Sequence, residues 1–140
     1  MNTKYLVASH GQLASGIQSS INILTNQGEK IKTIDAYVDD SDYTKDVEDF
    51  VSSIQEDDYG VIFTDLYGGS VNQRITSTVL EQGKQDQVTI ITNANLAIVL
   101  TVMMMGDVPT EETLRTLIEE AQVRTVTLEV EETDDSDFFA

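Results

Sequence analysis

The sequence predicts an α/β protein built as a three-layer sandwich, with a mostly parallel sheet between two layers of helices. Short apolar, β-branched runs alternate with segments of helical periodicity along its 140 residues, an order typical of parallel strands joined by crossover helices. The first four runs are almost entirely apolar, as expected for strands that are buried on both faces. A fifth run, near the end, alternates apolar and polar residues, which indicates a strand with one covered face.

The first half of the chain contains two predicted strand–helix pairs. The strands are residues 5–9 (YLVAS) and residues 31–38 (IKTIDAYV). Apolar residues at helical spacing follow each strand, first at Leu13, Ile17, Ile21 and Leu24 and then at Val47, Phe50, Val51 and Ile54. Gly28 ends the first helix, and the polar loop 39–42 (DDSD) supplies a cap for the second.

The second half continues the same alternation. Residues 60–65 (GVIFTD) and 88–92 (VTIIT) are predicted strands. The helix between them has its core-facing residues at Val71, Ile75 and Val79. Asn95 is placed to cap a short apolar helix over residues 96–105.

A last helix and a last strand complete the predicted domain. Pro109 and Thr110 begin the helix, whose expected core face is Leu114, Leu117, Ile118 and Ala121. In the strand "RTVTLEV" (124–130), the residues that point to one side are Val126, Leu128 and Val130. We expect one domain over residues 1–131, followed by an acidic, flexible tail at residues 132–140.

Composition narrows the possible functions. Twenty-five Asp and Glu against eight Lys and Arg give a net charge of −17, the opposite of the basic footprint that nucleic acids or anionic membranes attract. Such charge either keeps the protein soluble or steers a basic protein partner towards it. The chain has no cysteine, so it has no disulfide framework and no Cys-based metal site. Its apolar runs are too short for a signal peptide or a membrane span, and we expect a cytoplasmic protein.

The only histidine of the chain, His10, comes directly after the first predicted strand. Ligands of open α/β sheets bind outside the carboxyl ends of the strands, and Asp65 ends the third predicted strand. If strands one and three are neighbours, the two side chains meet at the same edge of the sheet. A carboxylate on one ring nitrogen would fix the tautomer and leave the other nitrogen free to attack an electrophile.

The residues around this pair are suited to an anion. Ser9 and Gly11 flank the histidine, and Gly68 and Gly69 allow backbone N–H groups to approach closely. Ser70 adds a hydroxyl at the start of a helix, where anions are favoured. These residues together predict a phosphoryl-accepting site, because they supply a nucleophile, an acid that orients it, and groups that bind an anion. No metal-ligand cluster accompanies them, and we expect neither a metal nor a cofactor.

Each feature also has a plain structural explanation. A lone loop histidine is often polar filler, "GGS" is a common turn before a helix, and Asp65 could cap a helix. Tyr37, Tyr43 and Tyr67 are interpreted as rim or core aromatics with no catalytic role. A site is favoured because the histidine and the "DLYGGS" loop both fall where this kind of fold binds ligands.

Two other flavodoxin-like classes fit the sequence poorly. A response-regulator receiver needs an acidic pair after strand one, where this chain has Ser9 and His10. A flavodoxin needs a hydroxyl-rich phosphate loop there, and "SHGQLASG" supplies too few hydroxyls. The chain also lacks the dinucleotide-binding fingerprint and the P-loop motif.

Three segments resemble, in order and spacing, the enzyme IIA domain of the mannose family of the bacterial phosphoenolpyruvate:sugar phosphotransferase system (PTS). They are "VASHGQLASGIQSSINILT", "FTDLYGGSVNQ" and "ITNANLAIVL", and the resemblance spans residues 4 to about 123. Ala97 stands where many members have proline, a departure that concerns the local loop geometry.

The resemblance implies a role for each matching residue. His10 would be transiently phosphorylated by the phosphocarrier HPr and would pass the phosphoryl group to a IIB subunit or domain, for sugar uptake and phosphorylation. Asp65 would orient the imidazole, and Ser70 would contact the phosphoryl group. The family fold adds a final antiparallel strand, which is often exchanged between the two subunits of a dimer.

Two features of the sequence also favour a homodimer. Residues 124–131 form an added edge strand, and proteins cover or pair such edges. The helix over 96–105 is apolar on almost every side and should be buried on every side. A second subunit would provide both kinds of cover.

Two alternatives to the sugar-pathway subunit remain. One is a related subunit that phosphorylates a dihydroxyacetone kinase, a group that tends to show S-H-S where this chain has S-H-G. The other is a non-catalytic sensor or regulatory module on the same fold, in which His10 is never phosphorylated.

Overall fold

The computed structural model describes residues 2–130 of the chain. Strands and helices alternate as predicted as far as the last helix. The strands are β1 (Asn2–His10), β2 (Ile31–Ala36), β3 (Asp58–Thr64) and β4 (Val88–Ile91). The helices are α1 (Leu13–Thr25), α2 (Thr44–Ser52), α3 (Ser70–Glu81), α4 (Leu96–Met105) and α5 (Glu111–Glu120).

The four strands form one parallel sheet in the order β2-β1-β3-β4. Ala8 lies opposite Thr64 on β3, and His10 lies opposite Ala36 on β2. The expected neighbour relation of strands one and three is therefore confirmed. It brings the carboxyl ends of β1 and β3, with His10 and the residue after Thr64, to the same edge of the sheet.

Apolar side chains of the central strands contribute to two hydrophobic cores, one on each face of the sheet. Tyr5 and Val7 pack with α1, α4 and α5, whereas Leu6 and Ala8 pack with α2 and α3. Leu6 is fully buried, and burying a side chain of this size contributes roughly 1.5–3 kcal/mol. The double burial predicted for all four strands is found in the central strands β1 and β3, whereas the edge strands β2 and β4 are only partly buried.

The predicted caps hold the helix starts. The Asn95 side chain accepts a hydrogen bond from the Ile98 N–H at 2.9 Å, and the Thr110 hydroxyl accepts one from the Thr113 N–H at 3.2 Å. In the loop before α2, the Asp42 carboxylate accepts a hydrogen bond from the Thr44 N–H at 2.9 Å. Each contact satisfies an N–H that the helix itself leaves without a partner.

The predicted fifth strand is not formed within this chain. Residues 123–130 have no regular structure, and Val126, Leu128 and Val130 are 81%, 92% and 98% exposed. The alternating pattern marks a segment suited to pairing, but neither sheet edge of the chain, β2 or β4, pairs with it. Residue 131 and the predicted tail at 132–140 lie outside the described residues.

The two last helices also keep apolar surface exposed. Met104 of α4 is 64% exposed, and Ile118, which was expected to face the core from α5, is 46% exposed. The expectation that α4 is buried on every side is thus not met within a single chain. Among residues 2–130, no helix has the length and apolar character needed to cross a bilayer.

Candidate active site

His10 stands on a sharp turn between β1 and α1. Gly11 has a φ of +62°, which glycine adopts without strain, and its N–H donates to the Ala36 carbonyl at 2.8 Å. The Ser9 hydroxyl accepts from the Ala14 N–H at 2.8 Å and donates to the Gly11 carbonyl at 3.2 Å. These bonds fix the turn, so the histidine leaves the sheet edge in a defined direction.

The carboxylate of Asp65 holds His10 at two points. Its Oδ2 atom lies 2.8 Å from the His10 ring Nδ1 and accepts from the His10 backbone N–H, also at 2.8 Å. Its Oδ1 atom accepts from the Leu66 N–H at 3.0 Å. The Asp65 side chain is only 7% exposed, whereas that of His10 is 40% exposed. A buried carboxylate therefore anchors an imidazole whose far side is open to solvent.

Hydrogen bonding keeps Asp65 ionised. Burial acts to raise the pKa of the Asp65 carboxyl, but the hydrogen bonds from the His10 backbone and ring outweigh burial, so this pKa lies below its ordinary value of 3.8. An ionised carboxylate accepts hydrogen bonds and donates none. The shared proton of this contact therefore belongs to Nδ1 of His10, and in the neutral form of the imidazole the lone pair lies on Nε2.

Ser70 faces that free nitrogen. Its Oγ atom lies 3.2 Å from His10 Nε2, and Ser70 is the first residue of α3. The N-terminus of a helix carries partial positive charge and free N–H groups. The nucleophilic side of the imidazole thus points towards a region that favours an anion.

The glycines before Ser70 let the loop pass close to the ring. Gly68 has a φ of +73°, a conformation that suits glycine. A Cβ atom added to Gly69 would lie 3.2 Å from the Leu66 carbonyl oxygen and 3.7 Å from His10 Cε1. A side chain at Gly69 would therefore crowd the loop at Leu66 and come into van der Waals contact with the imidazole.

Tyr37, for which we predicted no catalytic role, packs directly on the histidine. Its ring stacks on the imidazole with centroids 5.3 Å apart and planes 27° apart. Its hydroxyl lies 2.9 Å from Ser70 Oγ, and the ring of Tyr43 meets it edge-on at 5.4 Å. No sequence pattern marked this contact, because it depends on a left-handed backbone at Tyr37, whose φ is +67°.

The structure thus brings most of the predicted site residues together. The exceptions are Ser9 and Gly11, whose hydrogen bonds stabilise the turn. His10, Asp65 and Ser70 form one hydrogen-bonded series, with Gly68 and Gly69 beside it. Ser9 is 1% exposed, and its hydroxyl is occupied by the turn, as is the N–H of Gly11. We assign Ser9 and Gly11 to shaping the turn rather than to holding an anion.

Exposed apolar side chains flank this edge of the sheet. They are Leu13, Val38, Leu66 and Tyr67, with exposures of 48%, 49%, 57% and 79%. Each lies within three residues of His10, Tyr37 or Asp65 along the chain. Within residues 2–130, no three His, Asp or Glu side chains come together as a metal site would require.

Solved structures resemble this chain over most of its length. A Klebsiella pneumoniae protein described as a phosphoenolpyruvate-dependent sugar phosphotransferase system (PTS) permease is 25% identical, with a TM-score of 0.72, over 88% of this chain and 91% of that one. A PTS IIA protein associated with the fucose utilization operon of Streptococcus pneumoniae is 23% identical, with a TM-score of 0.71, over 86% and 89% of the two chains. The mannose/sorbose-specific IIA subunit of Enterococcus faecalis is 17% identical, with a TM-score of 0.70, over 96% and 100%. The last two likenesses show the fold.

Sequence comparison identifies the family. No curated protein matches the chain. The sequence model of a family described as "EIIA-man: PTS system fructose IIA component" matches residues 4–127, a range that includes every residue of the site. The chain therefore belongs to the family of PTS system fructose IIA components, the mannose-type IIA proteins of the sugar phosphotransferase system.

Proposed function

We propose that this protein is the phosphoryl-relay IIA subunit of a sugar phosphotransferase system. His10 accepts a phosphoryl group from phospho-HPr and passes it to a IIB subunit or domain, for sugar uptake and phosphorylation. The observation that carries the proposal is that the two nitrogens of one imidazole have different partners. Asp65 holds Nδ1 at 2.8 Å, while Nε2 faces Ser70 at the exposed end of the sheet.

Phosphoryl transfer at this site needs no proton to leave the ring. The lone pair of Nε2 forms the new bond to phosphorus as the donor's bond to phosphorus breaks, and the donor keeps that electron pair. The proton on Nδ1 stays in its hydrogen bond to Asp65, whose charge stabilises the cation that forms on the ring. Positioning and electrostatic stabilisation carry such a step.

Ser70 and the start of α3 supply the phosphoryl-binding side. Once Nε2 is bonded to phosphorus, the Ser70 hydroxyl is released from that nitrogen and can donate to a phosphoryl oxygen. The loop of Gly68 and Gly69 lets backbone approach the same group closely. We include these three residues, but neither Ser9 nor Gly11, in the phosphoryl-contacting set.

Partner docking is supported by the surface around the site. The exposed apolar side chains near His10 provide an area that a carrier protein can cover, and such residues are typical of interface cores. The chain's net charge of −17 would steer a basic partner face towards it. HPr and IIB are the partners that the family implies, and the relay works in the cytoplasm.

A homodimer completes the proposed assembly. Residues 124–131 would pair antiparallel at the sheet edge of a second subunit, as the family's exchanged strand does. The support for this is physical: Val126, Leu128 and Val130 are almost fully exposed within one chain. The β4 edge of the sheet has no partner among the described strands.

Mass measurement after incubation with phosphoenolpyruvate, enzyme I and HPr tests the relay. We expect one phosphoryl group per chain, labile in acid and stable in base, as a phosphoramidate is, and none when HPr is omitted. The His10→Ala protein should take up no phosphoryl group. Uptake by His10→Ala, or none by the wild-type protein, would contradict the proposal, and the second result would favour a sensor role.

A further inference from the structure

Tyr37 closes a ring of contacts around the nucleophilic side of His10. Its aromatic face lies on the imidazole with centroids 5.3 Å apart, and its hydroxyl lies 2.9 Å from Ser70 Oγ. Ser70 Oγ in turn lies 3.2 Å from His10 Nε2. One side chain therefore touches both the nucleophile and the hydroxyl that faces it.

The hydrogen bonds of this ring have a single consistent direction. In the neutral imidazole, whose proton on Nδ1 is shared with Asp65, Nε2 is an acceptor, and the Ser70 hydroxyl donates to it. The proton of Ser70 is then occupied, so Ser70 Oγ receives the Tyr37 proton. The order of donation is Tyr37 to Ser70, Ser70 to His10, and His10 to Asp65.

The backbone of Tyr37 indicates that this placement is enforced. Its φ of +67° lies in the left-handed region, which bulky residues rarely adopt. Tyr37 directly follows Ala36, whose carbonyl accepts the Gly11 N–H at 2.8 Å. The end of β2 is thus tied to the turn that carries His10, and the tyrosine is held over the imidazole. Strain of this kind persists where surrounding contacts fix it, and it is concentrated at active sites.

We infer that Tyr37 is a positioning residue for phosphoryl transfer, with its ring orienting the imidazole of His10 and its hydroxyl directing the hydroxyl of Ser70. This inference rests on the proposed function. When Nε2 bonds to phosphorus, the hydrogen bond from Tyr37 keeps Ser70 Oγ in place, and the Ser70 proton turns from nitrogen to a phosphoryl oxygen. The proton on Nδ1 does not move.

Transfer kinetics of Tyr37→Phe test the hydroxyl while retaining the stacked ring. We expect kcat for transfer from phospho-HPr to fall about 5- to 30-fold, the effect of losing one hydrogen bond that holds the Ser70 hydroxyl in place, with KM for phospho-HPr unchanged. Tyr59→Phe is the matched control. Tyr59 lies near the start of β3, at the end of the strand opposite Asp65, and its hydroxyl bonds Thr89 of β4 at 2.7 Å. Removing this hydroxyl should leave both constants unchanged. A wild-type kcat for Tyr37→Phe, or a change in KM alone, would overturn the inference.

Nitrogen NMR provides a second measurement that requires no phosphoryl donor. His10 is the only histidine, so a protein labelled with ¹⁵N-histidine and free of any histidine tag gives two unambiguous ring signals. In Tyr37→Phe, the Nε2 signal should move towards that of an acceptor without a hydrogen bond, while Nδ1 stays protonated. An unmoved Nε2 signal would overturn the directing role. If wild-type protein takes nothing from phospho-HPr, the proposed function fails, and these signals still test Tyr37.

Tyr37→Gly separates positioning from a purely structural role. Glycine adopts the left-handed conformation without strain, so the urea midpoint of unfolding should not fall, while kcat should fall at least as far as in Tyr37→Phe. A lower midpoint with unchanged kcat would assign Tyr37 to structure alone.

Discussion

The two ring nitrogens of His10 face different chemical partners, and this asymmetry gives the imidazole a direction. Nδ1 meets a buried carboxylate that also binds the histidine's own backbone N–H. Nε2 meets a neutral hydroxyl at a helix start. A free imidazole exchanges its proton between the two nitrogens, whereas this environment selects one tautomer and aims the lone pair at the anion-favouring side.

Removing the Asp65 carboxylate should therefore impair transfer more than folding. We expect Asp65→Ala to lower the rate of transfer from phospho-HPr by about 10²–10⁴-fold, as loss of the orienting acid does in hydrolase triads. Rapid-quench kinetics measures the rate, and circular dichroism checks the fold. Asp57→Ala, which removes an exposed carboxylate just before β3, is the control for lost charge and should transfer normally. Unchanged kinetics in Asp65→Ala would show that the carboxylate is a bystander.

At the residue scale, the sequence predicts chemistry where strand ends and residue types coincide. His10 and Asp65 each follow an apolar run, and the rule for open sheets brings them together. Tyr37 has no such signal, since its place over the imidazole follows from a φ of +67° and from the link between Ala36 and Gly11. Ser9 differs from the other predicted site residues, because its position beside His10 suggested contact with an anion, whereas its buried hydroxyl bonds the Ala14 N–H within the turn.

At the element scale, the turn from β1 to α1 is stabilised by a hydroxyl acting in place of a helix cap. The residue before α1, Gln12, makes no side-chain capping bond. The buried Ser9 hydroxyl instead accepts the Ala14 N–H, and the Asp35 carboxylate accepts the Ser15 N–H at 3.0 Å. Side chains from β1 and β2 therefore satisfy the first N–H groups of α1 and hold the helix against the sheet.

Ser9→Ala should consequently cost stability and leave the chemistry of His10 in place. We expect the free energy of unfolding to fall by about 0.5–2 kcal/mol, the range for loss of a capping hydroxyl, as measured by urea denaturation. Ser19→Ala, at an exposed position of α1, is the matched control and should change stability by no more than about 0.5 kcal/mol. A loss of phosphoryl transfer in Ser9→Ala without a loss of stability would instead place this hydroxyl in the anion site.

A strand or helix could be predicted from the sequence where residues of the same chain supply all the contacts that stabilise it. The four parallel strands pack against helices of the same chain, so their apolar runs carry enough information. Residues 124–130 carry an equally clear alternation, yet the single chain offers that segment no partner. Ile118 was expected in the core because it is apolar. An apolar side chain indicates that a position is buried in the final assembly, but it does not indicate whether the same chain or a second chain buries it.

At the scale of the whole molecule, an apolar groove lies on the side of the sheet that ends in β4. This groove of about 470 Å³ runs beside the strand, and its lining includes Ile91, Ile98, Leu114 and Ile118. The exposed segment 123–130 begins at the same groove, which Val123 also lines. Protein surfaces of this kind, with a free strand edge beside an apolar groove, are suited to strand addition from another chain.

We therefore predict a homodimer held in part by residues 124–131. Light scattering at micromolar concentration should give a mass near twice the 15.5 kDa of one chain, because pairing would bury the side chains of Val126, Leu128 and Val130. Replacing these three residues with Asp should give monomers, whereas the control Thr125→Asp with Thr127→Asp, on the opposite face of the same segment, should leave the dimer intact. A wild-type mass near 15.5 kDa would refute the dimer. A dimer that survives deletion of residues 124–140 would refute the interface, and the exposed faces of α4 and α5 would then be the surfaces that pair.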